Sequence, residues 1–260
     1  MIKLFKNIRQ KLLKEGKTIS YLKYALGEII LVVIGILIAL QVNNWNENRN
    51  ENIRAHKVLQ NLSDELKEDS TYFANVYNSE KSIFLASAER LFDEHITEQL
   101  SKDNDTILAR AFRFACFTPA IKSSRNAYTE LMSSDLINQI HSEDLRRNLK
   151  QYYGQIDFLQ QYSEQTYALS NTLIEALSNY YEIIPLNPNR HSNQFSNFSG
   201  AGEDLFTARY DLKAFRNDKS LNPKLYDMID IHKDRLGGLE NLKALSINIQ
   251  KEIREELKHK

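Results

Sequence analysis

One cysteine, four prolines and eight glycines are all that 260 residues contain of the types that most often staple or break a chain. With Cys116 alone, an intramolecular disulfide, a Cys-based zinc site and a CxxC redox pair are excluded. The residue sits in ARAFRFACF, and a lone thiol among aromatic and small neighbours reads as a packed small hydrophobe. Typical usage is roughly 7 % Gly and 5 % Pro, so the shortage predicts few turns and long helices. Motif chemistry is missing as well: no GxSxG, Walker A or GxGxxG occurs, and GAGE at 200–203 is only a flexible loop fragment. The histidines, His56, His95, His141, His191, His232 and His259, form no HxxxH or HExxH pair. No catalytic residue, metal site or cofactor is therefore expected. His232 falls on the apolar stripe of the last helix, where a hydrogen-bonded core histidine is expected ahead of a general base.

An excess of one charge is also lacking, since 34 Lys and Arg balance 34 Asp and Glu, but the distribution is uneven. Lys3, Lys6, Arg9, Lys11, Lys14, Lys17 and Lys23 stand against Glu15 alone, a net of +6 in residues 1–23, which leaves −6 for the remainder. Nucleic acid is excluded as a partner of the main domain, because phosphate binding needs a concentrated basic surface there.

What is present is one long hydrophobic run. Residues 29–40, IILVVIGILIAL, are uninterruptedly apolar, and extension to Tyr24 and Val42 gives 19 residues, about 28 Å of helix. That length spans the hydrocarbon layer. Tyr21 and Tyr24 at one end and Trp45 at the other are placed as interfacial aromatics are. A cleaved signal peptide would show small residues in an A-x-A-like pattern, whereas this chain reads ALQVNNWNE, so an uncleaved anchor is expected. Seven basic residues precede the run and only Arg49, Arg54 and Lys57 follow within 43–60, so the positive-inside rule puts the N-terminus in the cytoplasm and exports the rest. The expected location is a bacterial inner membrane with a periplasmic domain. Ile2, Phe5, Ile8, Leu12 and Leu13 fit a helix on an anionic leaflet ending at Gly16, with Ser20 capping the spanning helix. Glu28, one turn inside the run, is expected to reach back to the interface beside Lys23, the alternative being a contact with another spanning helix. Gly27, Gly35 and Ala39 share one ridge that would permit close helix packing, so the expected partners are the lipid bilayer and a second copy or another membrane protein.

The segment YALGEIILVVIGILIALQVNNWNENR resembles the N-terminal signature of a family of uncharacterised bacterial single-span membrane proteins, catalogued as a domain of unknown function. The later stretch SSDLINQIHSEDLRRNLKQYYGQID is similar to that family's middle region. The resemblance implies topology and an envelope location, with no activity and no site residues to carry over.

The fold expected is all-α, a transmembrane helix at 24–42 continuing into an extracytoplasmic antiparallel bundle over 43–260. Neither Gly nor Pro occurs between Gly35 and Pro119, and apolar residues recur from Ile53 to Phe92 at helical spacing, which predicts that the spanning helix runs on out of the membrane. Asp105 is a cap for a short helix through TILARAFRFACF, closed at Thr118-Pro119, and another short helix carries Tyr128, Leu131 and Met132. From Leu145 to Ile184 apolar residues alternate steps of four and three, as in a coiled coil, predicting one helix of about forty residues stopped by Pro185. A loop follows at about 185–203. Asn222-Pro223 offers a cap and a proline at the first position of a final helix, and Gly237-Gly238 marks a kink or a close crossing.

Within the forty-residue stripe Ser163, Thr166 and Ser170 stand where large apolar residues are expected, so a polar ligand cavity or compensation by bulky neighbours follows. Two functions remain: a membrane-anchored sensing or interaction module, or an enzyme with a non-motif site in the bundle around Ser163, Thr166 and Glu164.

Overall fold

The computed structural model describes residues 18–97, 106–185 and 206–258. The predicted leaflet helix, Asp105 and the 185–203 loop from residue 186 onward lie outside them. The chain divides into two compact units, Met1–His56 and Lys57–Lys260. Helix α1, Thr18–Ser79, belongs to both by sequence. The helix begins at Thr18, so Ser20 is its third residue and does not stand at the N-cap position expected of it.

In the first unit the residues from Ile29 to Val42 are exposed, with Leu31 at 68 % and Ile34 at 50 %. The helix is long and apolar enough to cross a membrane, and none of its apolar window is buried. A soluble core helix buries such side chains, since each gains about 1.5–3 kcal/mol by leaving water.

The second unit is built on three long segments. The end of α1 continues into a π-helical turn, Glu80–Leu85, and then α2, Ala86–Ile96. Helix α5 spans Glu143–Leu177 and α7 spans Leu221–Glu256. Contacts between α5 and α7 run in opposite order along the two: Asn148 meets Glu252, Ser163 meets Arg235 and Ser170 meets Met228. The helices are therefore antiparallel. Along α1 and α7, Leu66 meets Gln250 and Glu80 meets Arg235, again in opposite order. Gly238 sets how closely α7 approaches α5, because a Cβ there would lie 2.5 Å from Leu159 Cδ2. It is the close crossing expected of the pair, and α7 continues through Gly237 without a break in helix.

Among the short elements, α3 (Thr106–Phe114) and α6 (Leu212–Asn217) lie at the upper end, while α4 (Asn126–Ser133) and a 3-10 turn (Leu136–Gln139) lie by the start of α5. Asp135, at φ 57°, starts the 3-10 turn in the left-handed region, and its carboxylate accepts from Asn138 Nδ2 at 2.8 Å. Two expectations need correcting. Helix α5 ends at Leu177 rather than 184, and Tyr181–Pro185 forms strand β1, antiparallel to β2, Phe206–Tyr210. The β-branched and aromatic YEII prefers the strand, and the opposed Tyr181 and Tyr210 stack on Phe112 at 4.8 and 5.5 Å. The last helix begins at Leu221, after a Ser220 whose side chain makes no cap hydrogen bond, so Pro223 is its third residue, still within the turn whose N–H groups lack helical partners. Among the described residues the fold is all-α apart from this two-stranded ribbon.

Leu85, Leu91, Leu108, Phe112, Leu177, Phe215 and Met228 are among the buried side chains of the upper core. Leu145, Leu149, Ile156, Leu242, Ile249 and Ile253 are the corresponding buried residues of α5 and α7 lower down.

Candidate functional site

Between α3 and α4 the backbone from Ala115 to Arg125 has no regular structure, and carbonyls buried there need partners from elsewhere. Side chains of the three long segments supply them. Arg235 Nη2 donates to Pro119 O at 2.7 Å, Gln160 Nε2 to Ile121 O at 3.0 Å and Tyr72 Oη to Ala120 O at 3.4 Å. His232 Nε2 lies 2.7 Å from Ala115 O, and because a carbonyl only accepts, Nε2 carries hydrogen. This strap, 115–125, is tied down on the bundle by side chains rather than by helix.

Beneath it sits a buried ionic cluster. Glu80, His232 and Arg235 are each 0 % exposed. Glu80 Oε1 accepts from Arg235 Nε at 3.1 Å and lies 2.6 Å from His232 Nδ1. Arg235 Nη1 donates to Ser163 Oγ at 2.5 Å. Glu80 Oε2 is buried without a hydrogen-bond partner. Phe84, one turn beyond Glu80, stacks on the His232 ring at 6.4 Å. Glu80 opens the π-helical turn, a local widening of the helix that often carries function. Removing two charges from water costs several kcal/mol each, so such a cluster persists only when nearly every polar atom is paired.

The neighbouring chemistry is held in check. Burial pushes the Cys116 thiol up to about 12, so it stays protonated and weakly nucleophilic. Burial, and the hydrogen bond to Asp234, push Tyr162 up to about 12. A second network hangs on Asp69, whose Oδ2 accepts from Tyr152 Oη at 2.7 Å and Ser123 Oγ at 2.6 Å. Burial first, then the Asp69 carboxylate, raises Tyr152. Glu65 accepts from Ala127 N at the start of α4.

The residues singled out from the sequence fall in separate places. Lys23 is exposed, Glu28 is partly exposed, and Arg49 stands 5.9 Å from the centroid of the exposed Trp45 ring. The side chains of Tyr21 and Tyr24 are outside the described set. A Cβ at Gly27 or Gly35 would meet nothing within 4 Å, and Ala39 is exposed. Ser163, Thr166 and Ser170 each donate back to their own helix, to Leu159 O, Tyr162 O and Thr166 O. Arg235 lies opposite Ser163, and Met228 Sδ is 3.7 Å from Ser170 Oγ. His232 is a hydrogen-bonded core histidine. Among the described residues no three His, Cys, Asp or Glu side chains converge as a metal-binding group.

Sequence reasoning missed Glu80 and Arg235. A signal exists: Phe73, Glu80 and Phe84, and Met228, Arg235 and Leu239, follow helical spacing, so each charge interrupts an apolar stripe.

A family model described as a family of unknown function, DUF6090, matches residues 28–191. The chain belongs to that family. The DUF6090 region takes in the apolar run, Glu80, the strap and Ser163, and ends before α7, which supplies His232 and Arg235. No curated protein and no solved structure matches the chain.

Proposed function

We propose that this DUF6090 member is a single-pass protein of a bacterial inner membrane, with its N-terminus in the cytoplasm and the Lys57–Lys260 domain outside, acting as a membrane-anchored interaction or sensing module. The observation that carries the reading is the wholly unburied apolar window of α1 in a chain whose other unit has an ordinary packed core. The seven basic residues before that window and the exposed Trp45 after it support the orientation. The chemistry of the domain favours binding over catalysis. Ser163 Oγ is bonded to Arg235 and to Leu159 O, Cys116 is held as a thiol, and His232 and Arg235 are bonded to Glu80 and to the strap. An interaction module acts through a partner or a second copy. Cross-linking in intact membranes, followed by purification in mild detergent, should recover a discrete homo-oligomer or one defined partner in fixed ratio. A strictly monomeric protein with no cross-linked species would contradict it.

A further inference from the structure

The Glu80–His232 contact fixes how many protons the pair holds. His232 Nε2 faces the Ala115 carbonyl and must donate, so that ring position is always N–H. The other nitrogen, Nδ1, lies 2.6 Å from Glu80 Oε1, and two lone pairs do not meet at that distance, so one proton lies between them. Whether the hydrogen belongs to an imidazolium and a carboxylate or to a neutral pair, the contact contains one proton. If that proton is lost, the imidazole lone pair faces a carboxylate inside a site that water does not reach. If a second proton is added, Arg235 loses its anionic partner while staying buried.

We propose that Glu80, His232 and Arg235 form a proton-dependent latch that holds the π-helical turn and the 115–121 strap onto α7, released when the shared proton leaves. The proposal is independent of the membrane orientation, since every group lies in the Lys57–Lys260 unit. The ionisable groups around the pair, element by element, are Glu80 on the π-helical turn, Arg235 on α7, Tyr72 on α1, Cys116 in the strap, and Tyr162 with Asp234 where α5 meets α7. Burial raises Tyr72, Cys116 and Tyr162, and Arg235 keeps its charge, so over the neutral range the shared proton is the one at stake.

The sign follows from proton counting. Opening exposes the pair to water, where an imidazole releases its proton above about pH 6.5 and a carboxyl gains one below about pH 4.3. Between those values the open and latched states hold the same number of protons. Above about pH 6.5 the latched state holds one more, so the opening equilibrium should rise about tenfold per pH unit.

The test is hydrogen exchange on the full chain in detergent micelles from about pH 6 to about pH 9, read as protection factors so that the intrinsic rate is removed. The expected result is a fall in protection of about tenfold per pH unit for residues 80–85 and 115–121, with α5 amides near Leu149 unchanged. In Glu80→Gln the amide donates to Nδ1 without a shared proton, so the pH dependence of those segments should vanish. Because that variant leaves Arg235 without its anion and can fail to fold, ring-nitrogen NMR of histidine-labelled wild-type protein supplies the second reading. At about pH 6 the His232 Nδ1 should be protonated or in a short hydrogen bond. Protection that is flat with pH in wild type, or a free Nδ1 lone pair at about pH 6, would overturn the latch.

Discussion

Glu256 ties the start of one long helix to the end of another with a single carboxylate. Its Oε1 accepts from His141 N at 2.6 Å and its Oε2 from Ser142 N at 3.1 Å, immediately before α5. Burial alone would raise its titration, but the His141 and Ser142 hydrogen bonds outweigh burial and hold the group below the usual carboxylate range. Its contribution is therefore present above that range and is lost as pH falls through it. Glu256→Gln should cost about 2 kcal/mol in urea unfolding at neutral pH, with the gap to wild type closing below about pH 4. Cys116 yields a second expectation: only 4 % exposed and titrating near 12, it should resist maleimide in the native protein and react once urea unfolds it, as followed by intact mass. Residues of this kind were the least legible in the sequence. Glu80 and Arg235 lie 155 positions apart, and each read alone is an ordinary surface charge on an amphipathic helix. His232 was legible because a histidine on an apolar stripe needs a buried partner, although nothing in the sequence said which.

Elements with strong periodicity are legible in the sequence, and those decided by tertiary contacts are not. The long helices α1, α5 and α7 follow from apolar residues recurring at helical spacing, and α4 from the compact run Tyr128, Leu131 and Met132. The segment Tyr181–Pro185 reads as helix in the sequence because its apolar residues continue the stripe of α5, while the contacts that favour a strand come from Phe112 and Tyr210. The π-helical turn has no sequence signature at all. The glycine pair of α7 allows a sharp comparison. A side chain at Gly237 meets nothing within 4 Å, so Gly237→Ala should stabilise by up to about 1 kcal/mol through helix propensity. Gly238→Ala must push Leu159 aside, which offsets that gain by about 1–3 kcal/mol of overpacking. Thermal unfolding should therefore rank Gly237→Ala above Gly238→Ala; equal midpoints would contradict the close crossing.

At the scale of the molecule, two units meet different solvents in this account. The first carries an apolar helix whose window is unburied, and the second is a helical domain with a packed core whose irregular strap is pinned by buried polar side chains. The helix long and apolar enough to cross a membrane is the most legible feature, because length, apolarity and flanking charge are local properties of sequence. Replacing Ile34 by Arg should raise the cost of insertion by about 3 kcal/mol, seen as a lower inserted fraction in a glycosylation or alkali-extraction assay. Orientation is the claim on which the rest of the proposed role depends. Reporters that are active on only one side of the membrane, fused after Glu47 and after Lys260, measure it directly. Both fusions should be active outside the cytoplasm and silent within it; cytoplasmic activity at both positions would contradict the account.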